Sequence, residues 1–129
     1  MNLTARIVGA WITALGVSGA AAGALEECMI KGDSTAVTKC LRDADAEAQM
    51  ALNRAEGAAG TRARELDTAT GRPGANAALA KSLRAFTEYR RAQCDYVRAI
   101  YADGAGAEQG VLGCRVDMAR RRVRELQNQ

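Results

Sequence analysis

The residues with the most chemistry to offer are four cysteines, Cys28, Cys40, Cys94 and Cys114, all placed after an apolar N-terminal run. Four thiols can serve as a nucleophile, a zinc cage or a pair of disulfides. An even count in a small exported chain reads as two disulfides, which places the protein in an oxidising compartment and removes the free thiol that catalysis would need. Zinc modules use close cysteine pairs, whereas 11 and 19 residues separate the members of the two local pairs here. Of the three possible pairings, Cys28–Cys40 and Cys94–Cys114 close the shortest loops. The first would pin the segment before helix one to its opening turns, and the second would cross a glycine-rich reversal.

The rest of the inventory argues against an enzyme. The chain has no histidine, which excludes a histidine base, metal ligand or pH switch. Ser18, Ser34 and Ser82 are the only serines, and no imidazole is present to activate them. Carboxylates cluster, as at Glu26-Glu27 and Asp43/Asp45. Glycosidase chemistry, however, needs two carboxyls facing across a cleft, and an alanine-packed bundle leaves little room for one. No cofactor is expected.

Residues 1–24 read as an export signal. Arg6 supplies the positive start, Ile7 to Leu25 carries no charge, and Ala20, Ala22 and Ala24 give small residues at peptidase spacing. Cleavage is expected after Ala22 or Ala24, and the domain boundaries are set at 1–24 and 25–129. If uncleaved, this segment would be the only membrane contact. Cys28 follows Leu25-Glu26-Glu27, unlike a lipid-modified cysteine, which needs small residues before it. Removing Arg6 leaves 17 basic against 15 acidic residues, too mild an excess to imply nucleic acid. The remaining 105 residues make one domain. Its apolar content is mostly alanine, which buries little area per residue, so two disulfides at about 2–4 kcal/mol each would matter to its stability.

The elements that must position these residues are helices. Leu41, Ala44, Ala48, Ala51, Ala55, Ala59 and Leu66 recur at threes and fours, predicting a helix from Ser34 to about Thr70 capped by Asp33 or Ser34. Gly57 and Gly60 mark a point where it is expected to bend or break. Gly71-Arg72-Pro73-Gly74 is a stop. Asn76 should cap a second helix running to about Tyr101, with Leu79, Leu83, Phe86, Arg90, Cys94, Val97 and Tyr101 on one face. This is the largest apolar payload, so the second helix is expected at the centre. After Asp103-Gly104-Ala105-Gly106, a third helix fits Glu108 or Gln109 to about Leu126, with Val111, Cys114, Met118 and Leu126 inward. Nothing alternates with period two. The fold class is all-α, a small disulfide-stapled bundle of about three antiparallel helices.

Two basic features stand out. Arg90 shares a face with Phe86 and Cys94. It is expected to be partly buried and paired with a carboxylate of helix one such as Asp45 or Glu47, in preference to anchoring a ligand carboxylate. Arg120, Arg121, Arg122 and Arg124 lie near the C-terminus. They suit the negative end of a helix, with Asp117 and Glu125 as neighbours, or would form a patch facing anionic envelope polymer.

From Phe86 onward the chain reads FTEYRRAQCDYVRAIYADGAGAEQGVLGCRVDMARRRVREL. Phe86, Tyr89-Arg90, Cys94, Tyr101, Gly104, Cys114 and Leu126 fall in the order of a bacterial exported family. Upstream, Cys28, Cys40 and Leu52-Asn53 match its first half. On these residues the chain resembles the lysozyme-inhibitor LprI-like N-terminal domain family. It departs at Phe86, where tryptophan is usual, at Glu56, where tyrosine is common, and at Asp103-Gly104-Ala105-Gly106, where a Gly-Gly-Ser-like turn is usual.

The resemblance implies a non-enzymatic, periplasmic or secreted binding protein whose partner is lysozyme. Arg72, the only basic residue at an expected loop tip, is the candidate to reach into a lysozyme cleft. The alternatives are an envelope module touching peptidoglycan or lipopolysaccharide through Arg120, Arg121, Arg122 and Arg124, and an immunity or chaperone-like role towards a toxin of the same cell. The sequence leaves the oligomeric state open.

Overall fold

The computed structural model describes residues 23–129, and the leader expected in residues 1–24 lies outside them up to residue 22. The described residues form four helices, α1 (Ala24–Met29), α2 (Ser34–Thr70), α3 (Ala75–Ile100) and α4 (Ala105–Gln127), with no strand among them. The all-α, disulfide-stapled bundle expected from the sequence is therefore present, with one more helix than the three predicted. The extra helix, α1, is short and holds the first cysteine. Its first turn is satisfied from far away, because the Ala24 N–H donates to Asp117 Oδ1 at 2.9 Å.

α2 is a continuous helix of 37 residues, about 55 Å long at 1.5 Å per residue. The Asp33 carboxylate caps it by accepting from the Ala36 N–H at 2.9 Å. The break expected at Gly57 and Gly60 does not occur. Helix-favouring neighbours on both sides carry the chain through, and the cost of two glycines is spread over ten turns. The buried stripe is Val37, Leu41, Asp45, Ala48, Leu52, Ala55 and Ala59. Leu66, expected to face inward, is 54% exposed, because no third helix continues alongside that part of α2.

Gly71 ends α2 in the left-handed conformation at φ 61°, which glycine adopts without steric cost. Asn76 does not cap α3. The cap comes from the preceding helix, where the Asp67 carboxylate accepts from the N–H groups of Gly74, Ala75 and Asn76 at 3.2, 2.8 and 3.1 Å. These donors hold the Asp67 carboxyl below the ordinary carboxylate range, with the Asn76 bond the largest cause, followed by Ala75.

α3 is not the central helix. Only Cys94 among its residues is fully buried, whereas α4 buries nine: Ala107, Gly110, Val111, Leu112, Gly113, Val116, Met118, Ala119 and Leu126. α4 packs against all three other helices. The reason is size. Gly113 admits α1, since a Cβ there would lie 3.2 Å from Leu25 Cβ, and Gly110 admits the Tyr101 ring, which a Cβ would meet at 3.0 Å. A helix with small residues on several faces can be approached from several sides. α3 packs Phe86 and Cys94 inward and leaves Tyr89, Tyr96 and Ile100 outside. α4 also begins at Ala105, earlier than expected, because Ala105 and Gly106 open its first turn behind the N-cap Gly104.

Two bridges fasten this arrangement, Cys28–Cys40 between α1 and α2 and Cys94–Cys114 between α3 and α4. Both pairings agree with those read from the sequence. The main core of Ala24, Cys28, Val37, Leu41, Ala48, Leu52, Leu112, Val116 and Ala119 lies beside the first bridge. A second cluster of Cys94, Val111 and Met118 lies around the other, with Phe86 packed against both clusters.

Candidate functional site

Three places bring together residues that could act on a partner. The first is a polar cluster where α2, α3 and α4 meet. Asp45, on the inner face of α2, is 9% exposed. Its Oδ2 lies 2.9 Å from Arg115 Nη2, and its Oδ1 lies 3.7 Å from Arg90 Nη2. Arg90 also donates to Gln49 Oε1 at 2.8 Å and to the Arg115 carbonyl at 2.9 Å. Burial lowers the Arg90 pKa, Asp45 works in the opposite direction, and Arg115 lowers it further. A guanidinium remains charged under these influences.

Arg90 is therefore the paired, partly buried arginine expected, and Asp45 is its partner. Glu47 is exposed. Sequence reasoning missed Arg115 and Gln49. Their spacing from Arg90 carries no sign of contact, because α4 and α2 are brought to it only by the fold. A hollow of about 410 Å³ opens beside the cluster, with Phe86, Val111, Glu56 and Asp95 in its walls. Arg90 and Arg115 line it as well, while their contacts with Asp45 tie three helices together.

The second place is the tip between α2 and α3. Arg62 Nη2 donates to the Leu126 carbonyl at 2.6 Å where α4 is ending. α2 continues for eight residues beyond Arg62 to Thr70, about 12 Å at 1.5 Å per residue. α2 and the start of α3 thus form a two-helix arm, with the hollow beneath it lined by Ala63, Leu66, Ala78 and Leu79 and reached by Gln129. Arg72 stands exposed at its end. Its backbone N–H donates to Thr70 Oγ1 at 3.4 Å, and no described residue engages its guanidinium in a hydrogen bond or ion pair.

The third place is the outer surface of α3 and α4. Tyr89, Tyr96 and Ile100 are 57, 62 and 60% exposed and recur at helical spacing on the outside of α3. Tyr101, expected on the inner face, is half exposed and covers Gly110. Gly104 holds φ 107° and starts α4. The four C-terminal arginines do not share one surface. Arg120 binds both oxygens of Glu27 at 2.8 and 3.0 Å. Arg122 lies 5.4 Å from the Phe86 ring centroid, 3.2 Å from Glu125 and 2.7 Å from Ser82 Oγ. Arg121 and Arg124 are exposed. Successive positions on a helix point about 100° apart, which separates a run that is continuous in sequence.

The family model for lysozyme inhibitor LprI matches residues 28–126. No curated protein and no solved structure matches the chain. The matched span runs from the first cysteine of the first bridge, through the arm, Arg90 and the second bridge, to the last buried leucine of α4. The chain belongs to the lysozyme inhibitor LprI family.

Proposed function

We propose that this protein is an exported, non-catalytic inhibitor that binds lysozyme and closes its cleft with the arm between α2 and α3. The observation that carries the reading is the family match across 28–126. Two disulfides suit an oxidising compartment outside the cytoplasm. A lysozyme cleft holds two catalytic carboxyl groups. An inhibitor needs a narrow projection and a donor that satisfies them. The arm is two helices wide, and Arg72 at its end offers a guanidinium suited to bidentate contact with a carboxylate.

The test is the clearing of a peptidoglycan suspension by lysozyme in the presence of purified mature protein. Slowed clearing at micromolar excess is expected, with relief by Arg72→Ala and little change in its melting temperature, since the Arg72 side chain is exposed. Unslowed clearing at that excess overturns the inhibitor reading. Full inhibition by Arg72→Ala removes the role of the tip. Exposed Tyr89, Tyr96 and Ile100 on α3 then become the surface to substitute.

A further inference from the structure

Residues 20–24 read Ala-Ala-Ala-Gly-Ala, so small–x–small triplets precede three bonds, Ala22–Gly23, Gly23–Ala24 and Ala24–Leu25. The fold treats the three resulting chain starts differently. Ala24 is 0% exposed and belongs to the main core cluster. Its N–H is bonded to Asp117 Oδ1, and the Gly23 carbonyl accepts the first bond of α1, from the Glu27 N–H at 3.0 Å. Cutting after Ala24 would remove the core methyl, the bond to Asp117 and that first helical bond together.

It would also create an ammonium on Leu25. The Leu25 nitrogen lies 3.5 Å from the place a Cβ would occupy on buried Gly113, so the new charge would be pressed against the α4 backbone. Leu25 is partly buried and packs against the main apolar cluster, where an ammonium loses part of its hydration. Cutting after Gly23 would remove the carbonyl that accepts the first bond of α1, whereas cutting after Ala22 keeps all these contacts. It leaves the new ammonium on Gly23, a partly exposed residue, one bond from the Cα that faces Asp117. Asp117 Oδ2 lies 2.9 Å from where a Cβ would project from Gly23. Glycine is thus the residue that fits here, and a carboxylate stands beside the charge that cleavage would make.

We infer that the leader is removed between Ala22 and Gly23, and that Asp117 of α4 receives the mature N-terminus. The inference rests on the export reading above, and the experiment separates the two. The full chain 1–129 is produced in a bacterium with a general export pathway, and the protein released from the envelope is examined by intact mass and N-terminal sequencing. A start at Gly23 is expected. A start at Leu25 or elsewhere overturns the assignment while leaving export standing, and recovery of only the uncut chain in the cytoplasm overturns both. Ala20→Leu provides an independent check, because residue 20 is the outer small residue of the Ala22–Gly23 bond alone. It is expected to abolish release at Gly23, and unaltered processing in that variant overturns the inference.

Discussion

The two ends of the bundle hold together by different means. At one end, α1, α2, α3 and α4 share both disulfides, the main apolar cluster and the Asp45–Arg90–Arg115 contact. At the other, the last fully buried residues are Ala55, Ala59 and Leu126. Beyond Arg62 the arm consists of two helices, an alanine-lined hollow and a turn fastened by Asp67. Alanine burial yields little hydrophobic stabilisation per residue, so the arm depends on helix continuity and capping where the other end depends on cross-links. A binding arm mounted on a stapled base can adjust at its tip without loosening the base.

Removing the staple should produce the largest change. Replacing Cys94 and Cys114 together by serine is expected to lower stability by about 2–5 kcal/mol. Urea unfolding would measure it, and amide exchange should rise around α4 towards the level of the arm. Equal protection at both ends in the parent protein would break the comparison.

Asp45→Ala comes next. It leaves Arg90, 13% exposed at its side chain, without its carboxylate, and should cost about 3 kcal/mol. Chemical denaturation checks this, and a double substitution of Asp45 and Arg90 should recover part of the loss.

Asp67→Asn should act on the arm, with a smaller global effect and faster exchange at the Ala75 and Asn76 amides. The folded-state pKa of Asp67 is depressed, so its contribution is complete above the unfolded-state value. It disappears as pH falls through the lower folded-state value. The difference in melting temperature between parent and Asp67→Asn should therefore be largest near neutrality and vanish in strong acid.

The smallest effect, and a gain, is expected from Gly57→Ala. Gly57 is exposed within α2, and a Cβ there meets nothing within 4 Å. Alanine should raise stability by about 0.5–1 kcal/mol, readable by calorimetry.

The arm also separates what local rules reach from what they do not. The Gly71–Gly74 stop was legible because glycine and proline act through their own backbone. The capping of α3 was not, because Asp67 reaches it across the turn and Asn76 looked locally sufficient. The inward stripe of α2 was legible as far as Ala59 and misleading at Leu66, where periodicity continues but the packing partner has ended. Arg90 was readable as a paired arginine, since a charge on an apolar face needs a partner. Arg115, from a distant stretch of chain, was not.

The sequence by itself determined the three long helices, the stop between α2 and α3 and the cysteine pairing, because helical periodicity, turn residues and short loop closures are properties of neighbouring residues. Only the tertiary structure decided which helix lies at the centre. Summed apolar bulk favoured α3, but centrality depends on how closely neighbours can approach. Gly110 and Gly113 give α4 that approach on two sides, and the same close packing sets Asp117 against Gly23 and Arg115 against Asp45.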